Sequence, residues 1–409
     1  MIIFINIGDN KMNQNTSNRM IISFLIIILI TATYTQAMTN QKQDEHFDLL
    51  VITSDSFKQA VQPLIDHKNT FGVPTLLVTV ESIYQDIQSN NGRDDAEKVK
   101  YFIKYAIEEY EISMVFLIGG RQGQKTSWYV PVRYVEMDNG WEPRYVSDLY
   151  FADIYDEHGL FSTWDSDNDS RYCEWLEGSV AEDKDIDLYP DIALGRIPCR
   201  NINEVEIMVE KIISYETTTA DKPNFNTLLC IAGDTYLEIH NPLWKGYEGE
   251  EFAEEAIDLM NGFTPTRMYL SQDGFKGPDD VIEEFNKGYG FVYFVGHGSP
   301  KSWGNHPPND EIFIDGLNTK DMKDLANLDL YPICVVSGCH NCQFDVGLIN
   351  LLYGFITHGL SFLTDKLIFR YEWIPEGWGW LMTNQRQAGS IVIYGTTALG
   401  HTRDRKSVV

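Results

Sequence analysis

Apolar runs of strand length alternate along this chain with stretches whose apolar positions recur at helical spacing. FDLLVIT (47–53), VPTLLVTV (73–80) and SMVFLIGG (113–120) are almost unbroken in their hydrophobicity, as strands covered on both faces are. Between them, residues 56–72 and 95–110 read as amphipathic helices, the first closed by Gly72. This βαβαβ order predicts a parallel sheet with helices on both faces. An irregular acidic and aromatic region follows; PDIALGRIP then resumes as a strand and 203–216 as a helix.

The scheme repeats beyond TTTADKPNFN (217–226), a polar, proline-bearing linker. TLLCIAG (227–233) is a strand, GEEFAEEAIDLMNG a helix and TRMYL a short strand. PDDVIEEFNKG is a helix opened by a proline and two aspartates. YGFVYFVGHG, YPICVVSGC and GSIVIYGT supply three more strands. The pattern therefore predicts an α/β protein of two tandem units, 46–217 and 218–403, each a mostly parallel sheet flanked by helices.

With 409 residues and 43% hydrophobic content, the chain can bury a large core. Its net charge of −28 would repel a phosphate backbone, so no nucleic acid is expected as partner. Lys11 and Arg19 precede the apolar stretch Met20–Ile30, and Thr35-Gln36-Ala37 ends it. That is the pattern of a secretory signal over 1–37, cleaved after Ala37, and it places the mature chain outside the cell or on its surface. No other segment could span a bilayer. The last six residues, DRKSVV (404–409), match the translation of a common sequencing-adapter stretch, so the natural sequence is expected to depart near Arg403.

Two of the apolar runs deliver reactive residues. FVYFV leads to Gly296-His297-Gly298, and ICVVS leads to Gly338-Cys339. Ligands bind at the carboxyl ends of parallel strands. If the two strands are neighbours, His297 and Cys339 share one crevice. An imidazole beside a thiol promotes the thiolate that attacks a carbonyl. The backbone N–H of Gly298 has no side chain to screen it and could donate to an oxyanion. Three other readings stand beside a cysteine hydrolase. Cys339-His340-Asn341-Cys342 is a C-x-x-C and could be a redox pair. Cys339, Cys342, His340 and His297 could bind zinc. Cys339 could also be a buried core residue. Six cysteines are too few for a disulfide framework in a chain of this length.

YFVGHGSPKSWG followed by VVSGCHNCQF resembles the gingipain family of cysteine peptidases, relatives of caspases and legumains. The shared landmarks are Gly296, His297, Gly298, Ser299 and Trp303, then Cys339, Asn341 and Phe344. The resemblance runs from about Leu49 to Arg403. It implies two caspase-like subdomains with the chemistry in the second, a catalytic His297–Cys339 pair, and protein or peptide substrates. It also implies an oxyanion site at the N–H groups of Gly298 and Cys339, and a histidine-orienting carboxylate, for which Asp234 lies within one position of the match. Members often cleave after Arg or Lys, which needs an acid in the specificity pocket. Glu248, Glu250 and Glu251 stand near the matching position, occupied here by Tyr247, and Trp303 joins the substrate-binding set. Cys342 stands where the family has glycine. A non-catalytic surface-binding protein on the same scaffold is the alternative, though it would have no need of both His297 and Cys339.

WDSDNDS places Asp165, Asp167 and Asp169 at alternate positions, a spacing of oxygen ligands that suits Ca²⁺. Glu174 or Glu177 could close the shell. The EF-hand pattern itself is not met, because Ser170 occupies the glycine position. Calcium also stabilises gingipain-like enzymes as a family.

Overall fold

β1 (Leu49–Thr53) is buried at all five positions, which a strand reaches when both faces of its sheet are covered. In the computed structural model, residues 46–400 are described, except 138–143, 177–179, 185, 243–245, 348–351, 353–355, 357–358 and 360–376. The signal segment 1–37, the tail 404–409 and Glu177 lie outside the described residues. From Phe47 onward the chain forms one compact unit.

Its first sheet is all parallel, in the order β2 (Thr75–Thr79), β1, β3 (Met114–Ile118), β8 (Ala193–Ile197). Strand alternation splits β1 between two cores. Leu50 and Ile52 face α2 (Asp95–Tyr110), while Leu49 and Val51 face α1 (Lys58–Thr70) and α3 (Ile202–Thr218). α2 starts where it does because Asp94 accepts the backbone N–H of Glu97, and α3 because Asn201 accepts that of Glu204. The irregular region contributes two short ribbons, β4–β5 (Tyr134–Glu136, Arg144–Val146) and β6–β7 (Trp175–Leu176, Val180–Ala181).

A second parallel sheet runs in the order β10 (Thr264–Tyr269), β9 (Thr227–Ala232), β11 (Phe291–Phe294), β15 (Ile333–Val336), β16 (Val392–Tyr394). Leu229, Ile231, Val292 and Phe294 face a core shared with α5 (Pro278–Phe285). Leu228, Cys230 and Ala232 face a smaller core beside α4 (Glu248–Leu259). The expected strands and helices are present, most of them shorter at their ends, while α3 extends past both ends of 203–216 and β10 starts two residues before TRMYL. Sequence periodicity did not reveal the antiparallel sheet β12 (His297–Gly298), β13 (Ser302–Asn305), β14 (Ile314–Asn318), because its strands are short and rich in glycine and polar residues.

α6 (Trp378–Thr383) connects the two sheets. Trp378 lies in the core of the second sheet and Trp380 in a core of the first. Lys211 of α3 is buried and donates to the carbonyls of Thr383 (2.7 Å), Ala388 (2.9 Å) and Ser390 (2.9 Å). No described helix is long and apolar enough to cross a membrane.

Candidate active site

β11 and β15 are adjacent and parallel, paired from Phe291↔Ile333 to Phe294↔Val336. The register offset is 336 − 294 = 42, and 339 − 297 is also 42. His297 and Cys339 thus stand three residues beyond paired partners and leave the sheet at the same level. The two chain segments touch there. A Cβ on Gly298 would sit 2.8 Å from the carbonyl oxygen of Cys339, and one on Gly338 would sit 3.0 Å from the Cα of Gly298.

His297 Nε2 lies 2.9 Å from the carbonyl oxygen of Thr235, so Nε2 carries the proton and donates it to that acceptor. Burial holds the imidazole below its ordinary pKa, which favours the neutral ring. In that tautomer Nδ1 keeps its lone pair. The rings of His306, Phe313 and Tyr236 surround it, at centroid distances of 5.6, 6.2 and 6.3 Å. Cys339 is partly exposed, with Sγ 3.5 Å from the Gly400 carbonyl oxygen.

Asp234 is buried at the end of β9, one residue before the carbonyl that holds His297. Its own contacts go elsewhere. Its N–H donates to the His306 carbonyl (2.9 Å), and Oδ2 accepts the N–H of Asn309 (2.6 Å). Its carboxyl also adjoins that of Glu248, and burial raises the pKa of both. Asp234 Oδ1 and Glu248 Oε1 have no other partner, and one proton shared between the two carboxyls satisfies both.

The start of α4 presses against the same loop, where a Cβ on Gly249 would stand 2.5 Å from the Gly233 carbonyl oxygen. Glu248 accepts the N–H of Tyr236 (3.3 Å). Glu250 has both oxygens occupied by Ser271, at 2.9 Å from its N–H and 2.5 Å from its hydroxyl. Trp303 is placed away from this cluster. It is fully buried, packed against Phe294 and Phe275, so its ring contributes to the core.

The two cysteines of the C-x-x-C have different surroundings. Cys342 Sγ lies where a Cβ on Gly379 or Gly395 would come within 3.0 or 2.7 Å, and burial pushes its thiol up to about 12. That is the opposite of what a redox thiolate requires. His340 is buried with Nδ1 3.0 Å from Gln343 Oε1.

Among the described residues, two groups bring carboxylates close enough to share a cation: Asp165–Asp167–Asp183 and Asp167–Asp169–Glu174. Asp183 was not expected. Asp165 organises this loop. Its carboxylate accepts the N–H groups of Asp169 (3.0 Å) and Ser170 (3.1 Å) and pairs with Arg93 (2.6 Å). Held this way, Ser170 takes φ +72°, the left-handed conformation in which an EF-hand loop places glycine.

Sequence reasoning missed Thr235, His306 and Phe313. Thr235 acts through a backbone carbonyl, which no side-chain pattern announces; its only signal is its position directly after CIAGD.

Comparison with known proteins bears on the same residues. Positions 42–358, which include His297 and Cys339, match the family described as peptidase family C25. Gingipain R2 of Porphyromonas gingivalis is 22% identical over 75% of this chain and 34% of its own length. Lys-gingipain of the same organism is 26% identical over 39% of this chain and 8% of its own. The chain spans about a third of the length of the gingipain R2 it matches. The crystal structure of the Arg-specific cysteine proteinase gingipain R aligns with a TM-score of 0.54 at 17% identity, covering 88% of this chain and 64% of that one.

Proposed function

Because this chain belongs to peptidase family C25, we propose that it is a secreted or cell-surface cysteine endopeptidase unit in which Cys339 and His297 are the reacting pair. The observation that supports this reading best is the common 42-residue offset that brings both side chains to one level beyond paired strands. The Cys339 thiol gives its proton to Nδ1 of His297, and the sulfur attacks the scissile carbonyl carbon. The N–H groups of Gly298 and Cys339 receive the oxyanion. The imidazolium returns the proton to the leaving amine, and water then hydrolyses the thioester. Asp234 acts indirectly, by fixing the loop that carries His306 and the carbonyl of Thr235.

The same reading extends to cleavage after Arg or Lys, with Glu248 as the recognising acid. Glu250 is committed to Ser271, whereas Glu248 Oε1 is held only by the proton it shares with Asp234, which a guanidinium or ammonium would displace to pair with the freed carboxylate. A fluorogenic panel that varies the residue before the scissile bond should favour Arg and Lys. Glu248→Gln should reduce their kcat/KM by about 30-fold or more. Faster turnover after Asp, Asn or apolar residues would end this assignment.

Calcium is proposed for the acidic loop, where carboxylate oxygens of Asp167, Asp169 and Glu174 are the donors and Asp165 organises the backbone around them. These hard ligands fit the ion, and its charge would relieve the repulsion between adjacent acids. Chelation should lower Tm by several degrees, and added Ca²⁺ should restore it, as expected for a ligand present well above its dissociation constant. Asp167→Asn with Asp169→Asn should abolish the response. A Tm indifferent to chelator in the unmodified protein would contradict the proposal.

A further inference from the structure

Asn341 lies two residues past Cys339 and is completely buried. Its Nδ2 donates to two carbonyls of the loop after His297, those of Ser299 (2.9 Å) and Ser302 (3.0 Å). Two acceptors on one amide atom identify it as the nitrogen. The other amide atom, Oδ1, is buried and has no N–H or O–H partner. It points at two glycines, one from each reactive loop, and a Cβ on either Gly298 or Gly338 would stand 2.0 Å from it. With a bond of about 1.5 Å between Cα and Cβ, neither Cα is more than about 3.5 Å from Oδ1, within reach of a Cα–H···O contact. The main chain of Asn341 is held as well. Gly379 at the start of α6 donates to its carbonyl (2.7 Å), while the neighbouring Trp378 donates to the carbonyl of Pro300 (2.8 Å).

One side chain therefore bridges the His297 loop and the Cys339 loop. It also accounts for the glycines of both motifs, since any larger residue at 298 or 338 would displace it. We infer that Asn341 is a positioning residue, whose amide sets the distance between His297 and Cys339. The inference rests on the Cys339–His297 reading above. Losing the amide would leave the fold in place but let the two loops separate, and a misplacement of about 1 Å lowers the rate of a positioned reaction about 100-fold.

The test compares Asn341→Ala and Asn341→Asp with the unmodified chain. Asp preserves shape but replaces the donor with an oxygen facing two carbonyls. Three measurements are made: kcat and KM on a peptide substrate, the pH dependence of Cys339 alkylation by iodoacetamide, and Tm. Both variants should fold and lose about 100-fold in kcat, with KM changed less than about threefold. Their alkylation profile should move towards that of an ordinary thiol, with a midpoint near about 8.5. Variants with kcat within about threefold of the original would overturn the inference. So would variants that do not fold, or whose activity falls only with the folded fraction while the alkylation profile stays put, because Asn341 would then be purely structural. An unmodified chain without Cys339-dependent hydrolysis would instead refute the peptidase reading. The alkylation profile would still decide the role of Asn341.

Discussion

Cys339→Ala should reduce peptide hydrolysis about 10,000-fold or more, because no other group at the strand ends can form the acyl intermediate. His297→Ala should lose nearly as much, since residues that act as one unit fail together. Cys342→Ala should keep most of the activity. Its thiol is turned into the packing against Gly379 and Gly395, and its raised pKa keeps it protonated. The three variants, assayed on one fluorogenic peptide and titrated with a tagged thiol electrophile, separate the readings of the C-x-x-C. Equal losses at Cys339 and Cys342 would favour a redox or metal role and exclude the dyad.

Lys211→Met should lower Tm by about 5 °C. The Lys211 ammonium donates to three buried carbonyls and sits 4.5 Å from the ring of Tyr331, with no carboxylate among the described residues in its hydrogen-bonding shell. Burial pushes its pKa down to about 7, and the three carbonyls work against that by accepting every ammonium proton. Met fills a similar volume but leaves the carbonyls of Thr383, Ala388 and Ser390 without their donor. Each buried acceptor stripped of its partner costs about 1–3 kcal/mol. A total of about 4 kcal/mol corresponds to about 5 °C in a unit of this size. A shift below about 2 °C would show that these carbonyls find other donors.

The two sheets and the juxtaposition of His297 and Cys339 were legible in the sequence because their signals are side-chain signals. Unbroken apolar runs mark doubly covered strands, and both FVYFV and ICVVS end in a glycine-flanked reactive residue. The spacing between them carried the pairing register, but only the β11–β15 ladder shows that the strands are neighbours. What lay beyond reading depends on the backbone. The Thr235 carbonyl holds His297, and Ser170 enters the left-handed region because the Asp165 carboxylate captures its N–H. Trp303 shows the opposite difficulty. The family resemblance placed it in the substrate-binding set, while the short β12–β13 hairpin turns its ring into the core.

α6 has a consequence for the order in which the molecule can be built. Trp380 joins a core made of strand residues of the first sheet, such as Leu49, Val51 and Ile118, and of residues from α1 and α3. That core therefore includes a residue made 380 − 339 = 41 positions after Cys339. A nick in the linker at 219–226 should leave two fragments that remain associated through an otherwise intact particle.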